Sequence, residues 1–379
     1  MTVAATDAAT DAATDAATDA TTDAGAQVDR TPDAVIGQLV GELGGALGVL
    51  LSALGTRSGL WSALSGAGRV TPAQLAARTG VAEPLAREWC RAQAAAGYLT
   101  YQPDGETFTL PDGVAGALLH GPGLGLVGAC AEMLCSLGAG FDEFVAAFGA
   151  GEGFGWHRHD ALFWHGSDAL TKVALPSELI DAVLDDLGPA TAALAAGGSV
   201  VDVGSGYGTP TIALARHFPA ARVFGVDYND ASVAFARSAA EEAGLLGRVR
   251  FEVASATDLP GSGYALVTFF DSLHDLGDPV GALVRAREVL EPEGAVLLVE
   301  PLAADRVEDN LTPPGRMFYA VSTLICTPNA VSQVTDGQEP LGTQAGEALL
   351  RATAAAAGFT RVRRVAVEAP LNLVLELRP

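Results

Sequence analysis

The chain has 379 residues, 49% of them hydrophobic, and a formal charge of −23. That length and apolar content suffice for more than one packed core, and the charge sets the chain against DNA phosphates and anionic lipid surfaces as partners. Four cysteines, Cys90, Cys130, Cys135 and Cys326, stand without a CxxC pair or a matching histidine spacing, which predicts reduced, mostly buried thiols and neither zinc nor disulfides.

Residues 1–30 open with a repeated "ATDA" that places aspartates at 7, 11, 15, 19 and 23. On a helix these carboxylates would repel one another at i,i+4, and no large apolar residue accompanies them, so the segment reads as a disordered acidic tail. No basic region leads into an apolar core, which predicts a cytoplasmic protein without a secretion signal. From Thr31, a plausible N-cap followed by Pro32, an apolar helical pattern runs to about Leu54. Gln38, Glu42 and several glycines interrupt it, which suits a buried helix better than a membrane span.

"VTPAQLAARTGVAEPLAREWCRAQAAAGYLTYQPDGETFTL" follows. Thr71 and Pro72 start one helix and Gly80 ends it; residues 83–96 form a second. "GYLTY" and "ETFTL" alternate as short strands around the turn Pro103-Asp104-Gly105. Helix, turn, helix and hairpin predict a winged-helix domain over residues 31–120. Its second helix carries Glu83 and Glu88 beside Arg87 and Arg91, and its wing carries Asp104 and Glu106. Such a face is no basic reading head, so a structural or dimerising role is expected and no nucleic acid partner.

Residues 121–196 read as a helical connector containing "GFGWHRHDALFWHGSDALTK". Its His157, His159 and His165 have no compact metal-ligand spacing. Trp156, Phe163 and Trp164 are candidates for an aromatic wall of a substrate pocket, with interdomain packing the competing reading.

From residue 197 the runs "SVVDV", "ARVFGVD", "RVRFEVA", "YALVTFF" and "AVLLVEP" alternate with helical segments, the pattern of an α/β Rossmann-like parallel sheet covered on both faces. The final "GFTRVRRVAVEAPLNLVLELRP" predicts two adjacent strands, an antiparallel hairpin closing a seven-stranded sheet. After the first strand, "VVDVGSGYGTP" sets Gly204, Gly206 and Gly208 behind Asp202, with Thr209 where a dinucleotide fingerprint needs its third glycine. The turn therefore suits a nucleoside without a pyrophosphate. Asp227 ends the second strand, where a carboxylate accepts two hydrogen bonds from a ribose diol.

These motifs resemble a class I S-adenosylmethionine-dependent methyltransferase over residues 197–379. The resemblance implies that Asp202, Gly204, Gly206 and Gly208 embrace the methionine and ribose of S-adenosylmethionine, that Asp227 binds the ribose, and that Tyr228 lies on the adenine. Ser255, followed by Ala256, stands where the family usually has an aspartate for the adenine amino group; Phe270 closes the cofactor side. Winged helix, connector and catalytic domain together resemble the plant-type and bacterial natural-product O-methyltransferases, which implies a homodimer formed through the N-terminal domain. "FFDSLHDLGDP" matches that group's histidine segment and maps the general base onto His274, with Asp271 or Asp275 as its orienting partner. "DNLTPPGRMFYAVSTLICTP" predicts a lid helix on which Arg316, Met317 and Tyr319 face a small-molecule acceptor, Arg316 holding a carboxylate. The expected activity is O-methylation, without a metal. The alternatives are N- or C-methylation, a non-methylating rearrangement or cyclisation in the same fold, and a ligand-responsive regulator.

Overall fold

A computed structural model of the chain describes residues 31–334 and 339–379; the sequence-predicted acidic tail lies outside them. Contacts divide the chain after Gly45. In the first unit, helix Pro32–Arg57 begins, and Thr31 caps it by accepting a hydrogen bond from the Ala34 amide. Val35, Ile36, Leu39, Val40 and Leu43 on it are exposed, so the expected burial of this helix is not met there. By length and composition the helix could cross a membrane.

In the second unit, Leu60, Trp61, Leu64, Trp89 and Phe108 close a core of their own. Trp61 is fully buried, a burial that stabilises by roughly 3 kcal/mol, and meets Trp89 edge-on at 4.7 Å. Thr71 and Gln74 form a capping box that starts helix Pro72–Thr79, and Gly80 ends it in the left-handed region, as the sequence predicts. Helix Glu83–Ala95 follows. β1 (Thr100–Gln102) and β2 (Thr107–Thr109) then pair antiparallel as the wing. Helices Gly123–Ala139 and Ala161–Ala174 pack on each other in the connector region.

The remaining strands are β3 (Ser199–Val203), β4 (Arg222–Asp227), β5 (Val249–Val253), β6 (Tyr264–Phe270), β7 (Leu290–Pro301), β8 (Arg361–Arg364) and β9 (Asn372–Arg378). They form one sheet ordered β5-β4-β3-β6-β7-β9-β8. β3 to β7 run parallel, and β9 pairs antiparallel with both β7 and β8. All five parallel strands and the closing pair fall where the sequence places them. Their near-continuous apolar runs reflect burial on both faces: Val200, Leu266 and Leu297 belong to one core, and Val201, Val267 and Leu298 to the other. Strand order reverses between β3 and β6, and there the C-terminal ends of the strands open a crevice.

Candidate active site

The crevice holds the chemistry. Its cavity is lined by the glycine turn Gly204–Tyr207, by Asp227 and Tyr228 after β4, and by Phe270, Asp271, Ser272, His274 and Asp275 after β6. A second compartment shares Gly204, Asp227 and Tyr228 and is bounded by Ser255 and Ala256. The predicted cofactor-side residues thus converge, with two adjustments.

Asp202 is not on the cavity wall. It is 1% exposed, and its two oxygens accept from the hydroxyls of Thr211 (2.6 Å) and Thr268 (2.9 Å). Burial drives its carboxyl up to about 7, against those two hydrogen bonds. It ties β3 to the helix Thr209–His217 and to β6, because side chains alternate faces along β3 and its own points into the protein. Gly208 caps helix Thr209–His217 in the left-handed region, and a Cβ there would meet the Phe251 ring at 2.8 Å. The backbone at Gly206 instead faces open space, with no atom within 4 Å of where a Cβ would stand. A ligand can therefore lie directly on the chain there.

Asp227 accepts from the amides of Gly206 and Asn229, both at 2.9 Å, one on each oxygen. Each oxygen keeps a lone pair for a further donor. Burial pushes its carboxyl up to about 6. The Tyr228 hydroxyl accepts from the Trp156 amide (3.0 Å) and donates to Asn329 Oδ1 (2.9 Å). Ser255 exchanges a hydrogen bond with Thr257 and bounds the second compartment beside Ala256.

His274 is buried, and its orienting partner is one the sequence reading missed. Its Nδ1 lies 2.5 Å from Glu300 Oε2, and Glu300 Oε1 accepts the Leu273 amide at 2.8 Å. Glu300 sits near the end of β7, beside the strand that delivers His274. Asp275 lies on the other side, Oδ1 3.3 Å from His274 Nε2, and its Oδ2 accepts from Trp156 Nε1 (2.8 Å). Neither Asp271 nor Asp275 therefore holds Nδ1. Burial disfavours the imidazolium, but Glu300 and Asp275 outweigh it and raise the His274 pKa well above its ordinary value. Cys326 also hydrogen-bonds this group, and burial pushes its thiol up strongly. Asp271 holds a positive φ of 55°, and burial lifts its carboxyl to about 6. Two triads, His274–Asp275–Cys326 and Asp271–His274–Glu300, bring their ligand-type atoms within 4.8 Å.

The acceptor side corrects several expectations. Trp156 and Trp164 line the cavity, and Trp164 stacks on Tyr207 of the glycine turn. Phe163 is fully buried behind them, stacked on His159 at 3.8 Å. One residue before Trp164 on the same helix, it points into the core shared with Met133 and Ile325. The lid segment forms as helix Pro313–Val321, a π-turn Ser322–Cys326, and helix Thr327–Gln333. The cavity is roofed by Val321, Ile325, Cys326, Asn329 and Gln333, spaced four residues apart save for Cys326. Arg316, Met317 and Tyr319 lie on the earlier turns and do not line it; Arg316 and Met317 are exposed. Asn329 was also missed. Its Oδ1 takes both the Trp156 amide (3.0 Å) and the Tyr228 hydroxyl, and its Nδ2 donates to the Asp275 carbonyl (2.9 Å). One buried amide thus ties the connector, the β4 turn and the His274 loop together. All four cysteines are free, two of them buried, one half-buried and one exposed.

Residues 194–345 match the family model of a methyltransferase domain, and residues 45–119 that of an Rv2258c-like winged helix-turn-helix domain. Fold and matches together show a methyltransferase domain preceded by a winged-helix domain, an arrangement shared with solved O-methyltransferase structures. Dimethylglycine N-methyltransferase of Parasynechococcus marenigrum is 30% identical over 175 residues, covering 46% of this chain and 59% of that protein. The chain spans about half the length of the curated relatives it matches. A solved structure from Nostoc punctiforme assigned as an O-methyltransferase superposes with a TM-score of 0.68 at 21% identity, covering 92% of this chain and 99% of that one. The neocarzinostatin-biosynthesis O-methyltransferase NcsB1, solved with S-adenosylmethionine and a hydroxynaphthoic acid, gives 0.53 at 20%, covering 87% and 95%.

Proposed function

We propose that the protein transfers a methyl group from S-adenosylmethionine to a hydroxyl of a small-molecule acceptor, of the kind made in secondary metabolism, with His274 as the general base. S-adenosylmethionine supplies an electrophilic methyl group on a sulfonium. The open backbone at Gly206, the spare lone pairs of Asp227 and the compartment at Tyr228, Ser255 and Ala256 suit its amino-acid, ribose and adenine parts respectively. The observation that carries the reading is the Glu300–His274 pair beside the glycine turn. Glu300 holds the proton on Nδ1, which in the neutral ring, formed as pH rises through the raised His274 pKa, leaves Nε2 to take the acceptor's proton. The walls then need only align the acceptor oxygen for in-line displacement.

A screen of phenolic acceptors with S-adenosylmethionine tests this. S-adenosylhomocysteine forms in step with methylated product, and His274→Asn lowers kcat by about 10²-fold or more without weakening cofactor binding. Product without S-adenosylhomocysteine points instead to a rearrangement. The reading extends to a cytoplasmic homodimer. Supporting it is an exposed groove lined by Leu50, Leu54, Ala131, Cys135 and Leu162. Light scattering showing a monomer at micromolar concentration refutes the dimer.

A further inference from the structure

The charges around the cavity are one-sided. Among the described residues no lysine or arginine lines it, while Asp168, Asp227, Asp271 and Asp275 do. Two of these carboxylates have their donors. Asp168 accepts from Thr209 and pairs with Lys172, and Asp227 takes two backbone amides. Glu300, behind His274, is likewise engaged. Asp275 Oδ1 has the His274 Nε2 at 3.3 Å, whereas Asp271 Oδ1 is buried without a hydrogen-bond donor. A buried acceptor of this kind is normally satisfied, so the donor missing at Asp271 belongs to whatever enters. A hydroxyl brings one donor, whereas an ammonium brings three and a charge of the right sign. Trp156 and Trp164 put aromatic rings on the same walls, and aromatic neighbours favour a cation again.

We propose that the acceptor is a hydroxylated molecule carrying a protonated amine, and that Asp271, with Asp275 beside it, is the residue that selects it. The proposal rests on the methyltransferase reading above and names its substrate class. An acceptor bearing a carboxylate or phosphate is disfavoured, because the one cation among the described wall residues, His274, is already flanked by Glu300 and Asp275, and four carboxylates repel such an acceptor.

Calorimetry on the whole protein saturated with S-adenosylhomocysteine tests it with a matched series of probes. Tyramine, 4-ethylphenol and 3-(4-hydroxyphenyl)propanoate share a phenol and differ in the charge at the far end. Tyramine binds at least about tenfold more tightly than 4-ethylphenol, as a charge-assisted hydrogen bond provides, and the propanoate binds least. Asp271→Asn, which keeps the positive φ that asparagine tolerates, brings tyramine within threefold of 4-ethylphenol. The variant's affinity for S-adenosylhomocysteine, which also reports its folding, stays within about twofold.

Tyramine binding no tighter than 4-ethylphenol, absence of binding by either included, overturns the proposal. So does an Asp271→Asn variant that loses S-adenosylhomocysteine, which would make Asp271 a cofactor anchor. A stoichiometric divalent metal in the purified protein that Asp271→Asn releases overturns it as well. Failure of the wild type to bind S-adenosylhomocysteine refutes the methyltransferase reading instead, and is seen before any probe is added.

Discussion

Glu300→Gln tests the histidine site most sharply, because it removes one charge and alters little shape. Glu300 is 2% exposed, with one oxygen 2.5 Å from His274 Nδ1 and the other on the Leu273 amide. At an effective dielectric of about 20 and a charge separation of about 4 Å, the lost attraction is about 4 kcal/mol. Its loss lowers the His274 pKa, while the remaining Asp275 carboxylate still favours the charged ring. The glutamine also changes the proton's place. With its Oε1 kept on the Leu273 amide, its NH₂ faces Nδ1, which must then accept; the neutral ring carries its proton on Nε2 and ceases to be a base. The tautomer is read by nitrogen-detected NMR of labelled histidines, and the turnover by release of S-adenosylhomocysteine. Wild type shows Nδ1 protonated at every pH up to the raised pKa of His274 and beyond; the variant shows Nε2–H and a kcat lower by about 10²-fold or more. In the wild type this pair also contributes stability that is fully present below pH 6.5 and is lost as pH rises through the raised pKa. An unchanged tautomer, a His274 pKa within half a unit of wild type and kcat within threefold would refute the reasoning.

Asn329→Ala removes one hydrogen bond each from the Trp156 amide, the Tyr228 hydroxyl and the Asp275 carbonyl; denaturant unfolding shows a loss of about 3 kcal/mol. Gly208→Ala forces a Cβ against Phe251 at a φ of 84°, and the same measurement gives a loss of about 2 kcal/mol. Asp227 has a folded pKa of about 6, above its ordinary value, so the folded protein binds more protons and loses stability as pH rises from about 4 to 6. Asp227→Asn reduces that loss by about 1–2 kcal/mol after allowance for partial solvent screening, read from unfolding at pH 4.5 and 7. A variant as pH-sensitive as wild type contradicts the assignment.

The sheet was legible because burial on both faces writes itself as uninterrupted valine-rich runs, and the glycine turn because three close glycines behind an aspartate serve few backbones. What periodicity does not carry is the direction of single side chains. Asp202 reads like a ligand group, yet two threonines distant in sequence claim its oxygens. Glu300 looks like an ordinary strand end before Pro301 until β6 and β7 are set side by side. The lid helix was foreseen, but the turns that roof the cavity begin only at Val321, so Arg316, Met317 and Tyr319 were assigned a face they do not share. Asn329 gave no distinctive signal among the polar residues of TPNAVSQ, because its three partners lie in three other segments.

The central claim is that the crevice between β3 and β6 is a site for S-adenosylmethionine. Calorimetric titration of the purified protein with S-adenosylmethionine, S-adenosylhomocysteine and NAD tests it directly. Saturable one-site binding of both sulfur compounds, with none of NAD, is the predicted result. NAD binding, or no binding of either sulfur compound, would contradict it.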